Sequence, residues 1–167
     1  MTAGASTLRR GRVAFRLLTV FSFILVGVRV SAQELVQISV PGIVSFDVLS
    51  VGLSSVGSPN PTRISFSNAS LLPSHALRIS VRAEGDLTGS SGPSIPASQV
   101  SWTTSNVSNG VAINGGLSTG AYNQIFQSQT GAISGGFDVV WTLAAPGTPL
   151  NAGNHQATLR WKLEAVP

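Results

Sequence analysis

Gln156-Ala-Thr-Leu-Arg-Trp-Lys-Leu-Glu-Ala-Val166 alternates almost to its last residue. Ala157, Leu159, Trp161, Leu163 and Ala165 take one set of positions; Gln156, Thr158, Arg160, Lys162 and Glu164 take the other. Successive side chains of a strand point to opposite faces, so this segment predicts a β-strand with one buried and one wet face. The same period runs through Phe137, Val139, Trp141 and Leu143, separated by Asp138 and Thr142, with Val140 as the exception. It recurs in Leu77, Ile79, Val81 and Ala83 against Arg78, Ser80, Arg82 and Glu84.

Shorter runs read as further strands: Leu35–Val40, Ile43–Leu49, Arg63–Ser67, Gln99–Thr104, Val111–Asn114 and Tyr122–Ser128. Turn chemistry separates them, at Pro41-Gly42, Ser58-Pro-Asn-Pro61, Leu72-Pro73, Asn109-Gly110, Gly135-Gly136 and Pro146-Gly147 among others. Proline fixes φ and glycine or asparagine tolerates positive φ, which is what chain reversals need. No stretch beyond residue 33 sustains a 3.6-residue period, so helices are expected to be minor. The expected fold is an all-β, immunoglobulin-like or Greek-key-type β-sandwich of about eight or nine strands. Gly85–Ser98 reads as the most loop-like region.

Upstream of these strands the composition changes. Arg9, Arg10, Arg12, Arg16 and Arg29 are the only charged residues before Glu34. Between Arg16 and Arg29 lie the twelve uncharged, mostly apolar residues Leu17–Val28, and Val30-Ser-Ala32 places small residues before Gln33. A basic start, a short apolar stretch and small residues at a cleavage point are the marks of a secretory signal peptide. Twelve helical residues span about 18 Å, short of the roughly 30 Å hydrocarbon core of a bilayer. Residues 1–32 are therefore expected to be a cleaved signal and residues 33–167 a single domain, with no transmembrane anchor in the mature chain.

That division reverses the electrostatic picture. The whole chain carries a formal charge of +4 and a pI near 11.2, values that suggest nucleic acid as a partner. Residues 33–167 hold only Arg63, Arg78, Arg82, Arg160 and Lys162 against six acids, a net charge of −1. The nucleic-acid reading then loses its support. There is no cysteine, which excludes disulfides, thiolate metal sites and a cysteine nucleophile.

The parts of an active site are also scarce. His75 and His155 each start a predicted strand and would form a metal pair only if those ends met. Glu84 and Asp86 lie close together, but no calcium-loop spacing is present. No G-x-S-x-G elbow occurs, and Gly115, Gly116 and Gly120 do not follow phosphate-loop spacing. A non-catalytic protein without metal or cofactor is expected. Two sequons, Asn68-Ala-Ser70 and Asn106-Val-Ser108, carry little weight in a serine-rich chain.

Trp141-Thr-Leu143 and Trp161-Lys-Leu163 share the pattern W-x-L, and both lie on predicted strands. With Ala152-Gly153, Ala157-Thr158-Leu159 and Pro167 around the second, the last thirty or so residues resemble the ending of WxL domains of bacterial surface proteins. Gln37-Ile-Ser-Val-Pro-Gly-Ile-Val-Ser-Phe46 is similar to an early strand of that family. The chain departs from the family in having His155 where tyrosine is usual. Its first W-x-L also lies on a late strand, and the early strand Leu77-Arg-Ile79 has no tryptophan.

The resemblance implies a secreted surface protein attached non-covalently to peptidoglycan or another cell-wall polymer, at the cell surface or, in a host with an outer membrane, in the periplasm. Alternation places the motif residues Trp141, Leu143, Trp161 and Leu163 in the core. The binding candidates are then outward Arg160 and Lys162, which suit the carboxylates of cell-wall peptides, and Trp102 and Tyr122, whose rings near turns could stack on sugars. The alternative is a fimbria-like or matrix subunit that joins other surface proteins or copies of itself by strand addition, with Gln33–Val40 as the donor.

Overall fold

The structure, a computed structural model, describes residues 34–41, 46, 55–58, 60–89, 93–144 and 155–167. The expected signal segment and most of the expected strand Ile43–Leu49 lie outside these residues. Among the described residues no helix is long and apolar enough to cross a membrane.

In chain order the strands are β1 (Leu35–Ser39), β2 (Ser55–Gly57), β3 (Thr62–Ser70), β4 (Ala76–Ala83), β5 (Thr88–Gly89) and β6 (Val100–Ser108), then β7 (Gly110–Ala112), β8 (Gly115–Gly116), β9 (Asn123–Ser128), β10 (Gly135–Ala144), β11 (His155–Gln156) and β12 (Leu159–Val166). Nine of these have three residues or more, and three have only two. They build an all-β sandwich. One sheet has the order β1-β3-β10-β6-β8, with β2 taking over beside β10 where β3 ends; the facing sheet runs β12-β4-β9-β7. All pairings are antiparallel, and no named strand is hydrogen-bonded to the one that follows it.

Alternation becomes burial. Leu77, Ile79, Val81 and Ala83 on β4 and Phe137, Val139, Trp141 and Leu143 on β10 all lie in the core. Val140, which breaks the apolar period, is on the outer side of β10 with Asp138 and Thr142 and is half-buried. Phe126 joins the two sheets, stacked on Phe137 at 4.9 Å and tilted against Phe66 at 5.8 Å. A register shift in the β4–β9 ladder leaves both Ile125 and its neighbour Phe126 fully buried. An extra residue in one strand is how two consecutive side chains escape strict alternation.

Two expectations need correction. Gln156–Val166 is not one strand: β11 pairs with β5, and β12 pairs with β4 from Leu159↔Ala83 to Val166↔Ala76. The Glu84 N–H donates to the Thr158 carbonyl at the point where the chain changes partner. Gly85–Ser98 is more than loop. Leu87 and Ile95 exchange backbone hydrogen bonds of 2.9 Å and are both buried, and a 3₁₀ turn spans Ala97–Gln99. Burying these apolar side chains orders a stretch whose periodicity is too short to show in the sequence.

Candidate functional site

β12 lies beside β4 with Arg160 opposite Arg82, Lys162 opposite Ser80 and Glu164 opposite Arg78. All six belong to the outward set of their strands, so the pairing makes one cationic face. The ring of Tyr122, one residue before β9, completes it. The Arg82 guanidinium sits 4.9 Å from the Tyr122 ring centroid and the Lys162 ammonium 5.8 Å from it. Both are within range of a cation–π attraction. The face gathers four of the five basic residues beyond residue 32 and, of the five acids described, only Glu84 and Glu164.

Two of the four cations are locally matched. Arg160 pairs with Glu84, its Nε donating to Oε1 at 2.7 Å, and Lys162 reaches Glu164 at 2.8 Å. Arg160 and Lys162 remain 59% and 46% exposed. Arg78 and Arg82 form no ion pair among the described residues, and the Nε atom of each is buried without a hydrogen-bond partner. Ser80, between them on the outer side of β4, is only 4% exposed. Long basic side chains lay their apolar stems on a surface and keep the charged end wet, which accounts for a covered serine on an outward position.

The fifth cation is held elsewhere. Arg63 on β3 contacts Asp138 on β10 at 3.1 Å and donates to the Asn106 carbonyl at 2.9 Å. The Asn106 amide donates to the other Asp138 oxygen at 2.6 Å. Hydrogen bonds from Asn106 first and Arg63 second hold the Asp138 carboxyl below the usual carboxylate range. Asn106 has φ 48°, at a register shift of the β6–β10 ladder. Its side chain is thus a structural donor, and so is that of Asn68, which donates to Gln37 at 2.7 Å.

Arg160, Lys162 and Tyr122 therefore converge as neighbours. Trp102 does not join them. It is 1% exposed, lies across the β6–β10 ladder from Trp141, and donates its indole N–H to the Ile113 carbonyl at 2.8 Å. No ring face is left for a sugar, because Val100 and Trp102 form the inward set of β6. Trp141 and Leu143 are core, as expected. Trp161 and Leu163 pack against the core but stay half-buried, since β12 ends its sheet among the described residues.

Sequence reasoning passed over Arg78 and Arg82 as candidates, although their alternation with Leu77, Ile79 and Val81 already turned them outward. His75 is engaged with Glu34, Nδ1 to Oε1 at 2.8 Å, and Asp86 accepts the Ala97 N–H at 2.9 Å. No protein-family model and no curated protein sequence matches the chain.

Proposed function

We propose that the chain is a secreted, non-catalytic bacterial cell-surface module that attaches non-covalently to peptidoglycan, in the manner of the WxL domains its ending resembles. The observation that carries this reading is the face of Arg78, Arg82, Arg160 and Lys162 on β4 and β12, with Arg82 and Lys162 over the Tyr122 ring. A polymer rich in carboxylates and sugars meets there both oxyanion donors and an aromatic ring. The acids described are engaged in pairs or backbone contacts: Glu34 with His75, Glu84 with Arg160, Asp86 with Ala97, Asp138 with Arg63 and Asn106, and Glu164 with Lys162. That arrangement favours a binding role over acid–base chemistry.

The test is co-sedimentation with purified peptidoglycan sacculi. Recovery of the protein in the pellet is expected, with release at high salt; recovery entirely in the supernatant would overturn the reading.

The alternative, a fimbria-like or matrix subunit, draws on β1 and β12, each of which ends its sheet among the described residues. β1, the expected donor, is already paired with β3 of its own chain through Ile38↔Phe66 and Ser39↔Ser65. Strand exchange would have to break that pairing first. Size-exclusion chromatography at high concentration separates the two readings, since an assembling subunit elutes as a multimer.

A further inference from the structure

The geometry points to Arg78 and Arg82 on β4, with Tyr122, as a recognition pair for a polymer bearing repeated carboxylates, the acidic stem peptides of peptidoglycan. This rests on the wall-binding reading and names which residues of the face meet the ligand and by what chemistry. Arg160 and Lys162 are the more exposed cations, yet Glu84 and Glu164 already offset them. Among the described residues Arg82 has no acid opposite it, and Arg78 faces only Glu164, whose contact is with Lys162.

Three features set these two arginines apart from ordinary solvated side chains. Arg82 lies directly opposite Arg160, and like charges facing one another across a ladder are destabilising. A bound anion between the strands removes that repulsion. The Nε atoms of Arg78 and Arg82 are buried and unpartnered, so each guanidinium lies partly on the sheet and does not swing freely. Buried polar atoms without partners are uncommon, and with Nε covered it is the terminal nitrogens of each guanidinium that would meet an anion. Arg82 is also fixed over the Tyr122 ring, which aims its fork before any ligand arrives.

Spacing sets the size of the ligand. Four residues along a strand place Arg78 and Arg82 about 13 Å apart at their Cα atoms. A single small acid reaches one of them; an extended chain with carboxylates at intervals reaches both. Gln127 opposite Arg78 and Gln124 opposite Ser80 border the same track and can serve peptide amides.

The experiment compares the full chain with R78Q, R82Q and R78Q/R82Q, using R63Q as a control that removes a cation from the other sheet. Immobilised poly-L-glutamate is the probe. The double variant is expected to bind about tenfold more weakly or worse, as the loss of a charge-assisted hydrogen bond implies, and R63Q to bind as the unaltered chain does. R78K/R82K, which keeps charge and loses the fork, is expected to fall between them. Unshifted tryptophan fluorescence, reporting buried Trp102 and Trp141, verifies that each variant is folded. Equal binding by the double variant and the unaltered chain would overturn the inference, as would an equal loss in R63Q.

Sacculi with carboxylates amidated by carbodiimide separate the two claims. If untreated sacculi bind the protein, and neither amidation nor R78Q/R82Q changes that, wall binding stands and the carboxylate pair falls. If poly-L-glutamate binding depends on the pair but sacculi never retain the protein, the pair stands and the wall reading falls.

Discussion

Trp102 and Trp141 face each other across β6 and β10 with ring centroids 5.7 Å apart and planes at 64°. Each gives its indole N–H to a different strand or turn: Trp102 to the Ile113 carbonyl, Trp141 at 3.1 Å to the Thr62 hydroxyl. That hydroxyl in turn donates to the Val139 carbonyl at 3.2 Å, which leaves its lone pairs to accept. Edge-to-face pairs add to the burial energy of two large rings, and a partnered N–H removes the penalty of burying it.

Trp141→Ala should therefore cost about 3–5 kcal/mol in urea unfolding. Trp161→Ala, at a half-buried position on β12, should cost clearly less. Trp141→Phe keeps a ring but loses the N–H given to the Thr62 hydroxyl, which still donates to the Val139 carbonyl, at about 1 kcal/mol. A larger loss at Trp161 than at Trp141 would contradict the placement of the core.

Asp138 makes acid stability depend on Asn106. Its carboxyl is held below the unfolded value of about 3.9. Its contribution is complete above that value and is lost as pH falls through the lower, folded one. Asn106→Gly, which accepts the φ of 48°, removes the first hydrogen bond. The Asp138 titration should then move up in a carboxyl NMR experiment, and acid unfolding should begin at higher pH. Asp138→Asn should remove this part of the acid dependence altogether.

Gly115 on β8 lies against the Trp102 indole, and a Cβ there would come within 2.7 Å of Cζ2. Ring and strand cannot both keep their places. Gly115→Ala should cost about 1–3 kcal/mol, as overpacked sites do. Tryptophan emission should shift to the red as Trp102 opens to water. An unchanged spectrum and melting curve would show that β8 yields freely.

Glu34 holds the start of β1. One of its oxygens accepts both the Leu72 N–H and His75 Nδ1, each at 2.8 Å. Glu34→Ala should raise hydrogen exchange at the β1 amides well above that of β10, while the midpoint of global unfolding moves little. Local opening of this kind is what a half-exposed terminal strand permits. Equal acceleration in both strands would mean that β1 opens only with the whole domain.

The sandwich was legible because its long strands are two-faced. Leu77, Ile79 and Val81, or Phe137, Val139 and Trp141, declare an inner side without reference to any partner. What alternation cannot supply is which strand lies beside which. Arg82 and Arg160 are 78 positions apart, and nothing local to either says that they face each other. Hence Arg160, Lys162 and Tyr122 were readable as outward candidates, whereas Arg78 and Arg82 join them only once β4 is paired with β12. Trp102 was misplaced for a local reason. With Gly110, Asn109 and two short strands close by, its neighbourhood looks like turns, although Val100 and Trp102 against Ser101 and Thr103 carry the inward period. The break at Ala157-Thr158 was hidden in the same way, since side-chain period persists when a chain changes partners.

The strand order also governs when the domain can exist during synthesis. β10, the centre of its sheet, does not begin until Gly135, and β12, which borders β4, not until Leu159. A chain made only as far as Ser134 owns at most the β1–β3 and β6–β8 pairs of the first sheet and β4, β9 and β7 of the second. Neither layer then has the other's complete apolar face to close on. Closing the sandwich thus waits on pairings between strands far apart in sequence, which are the slow ones to form.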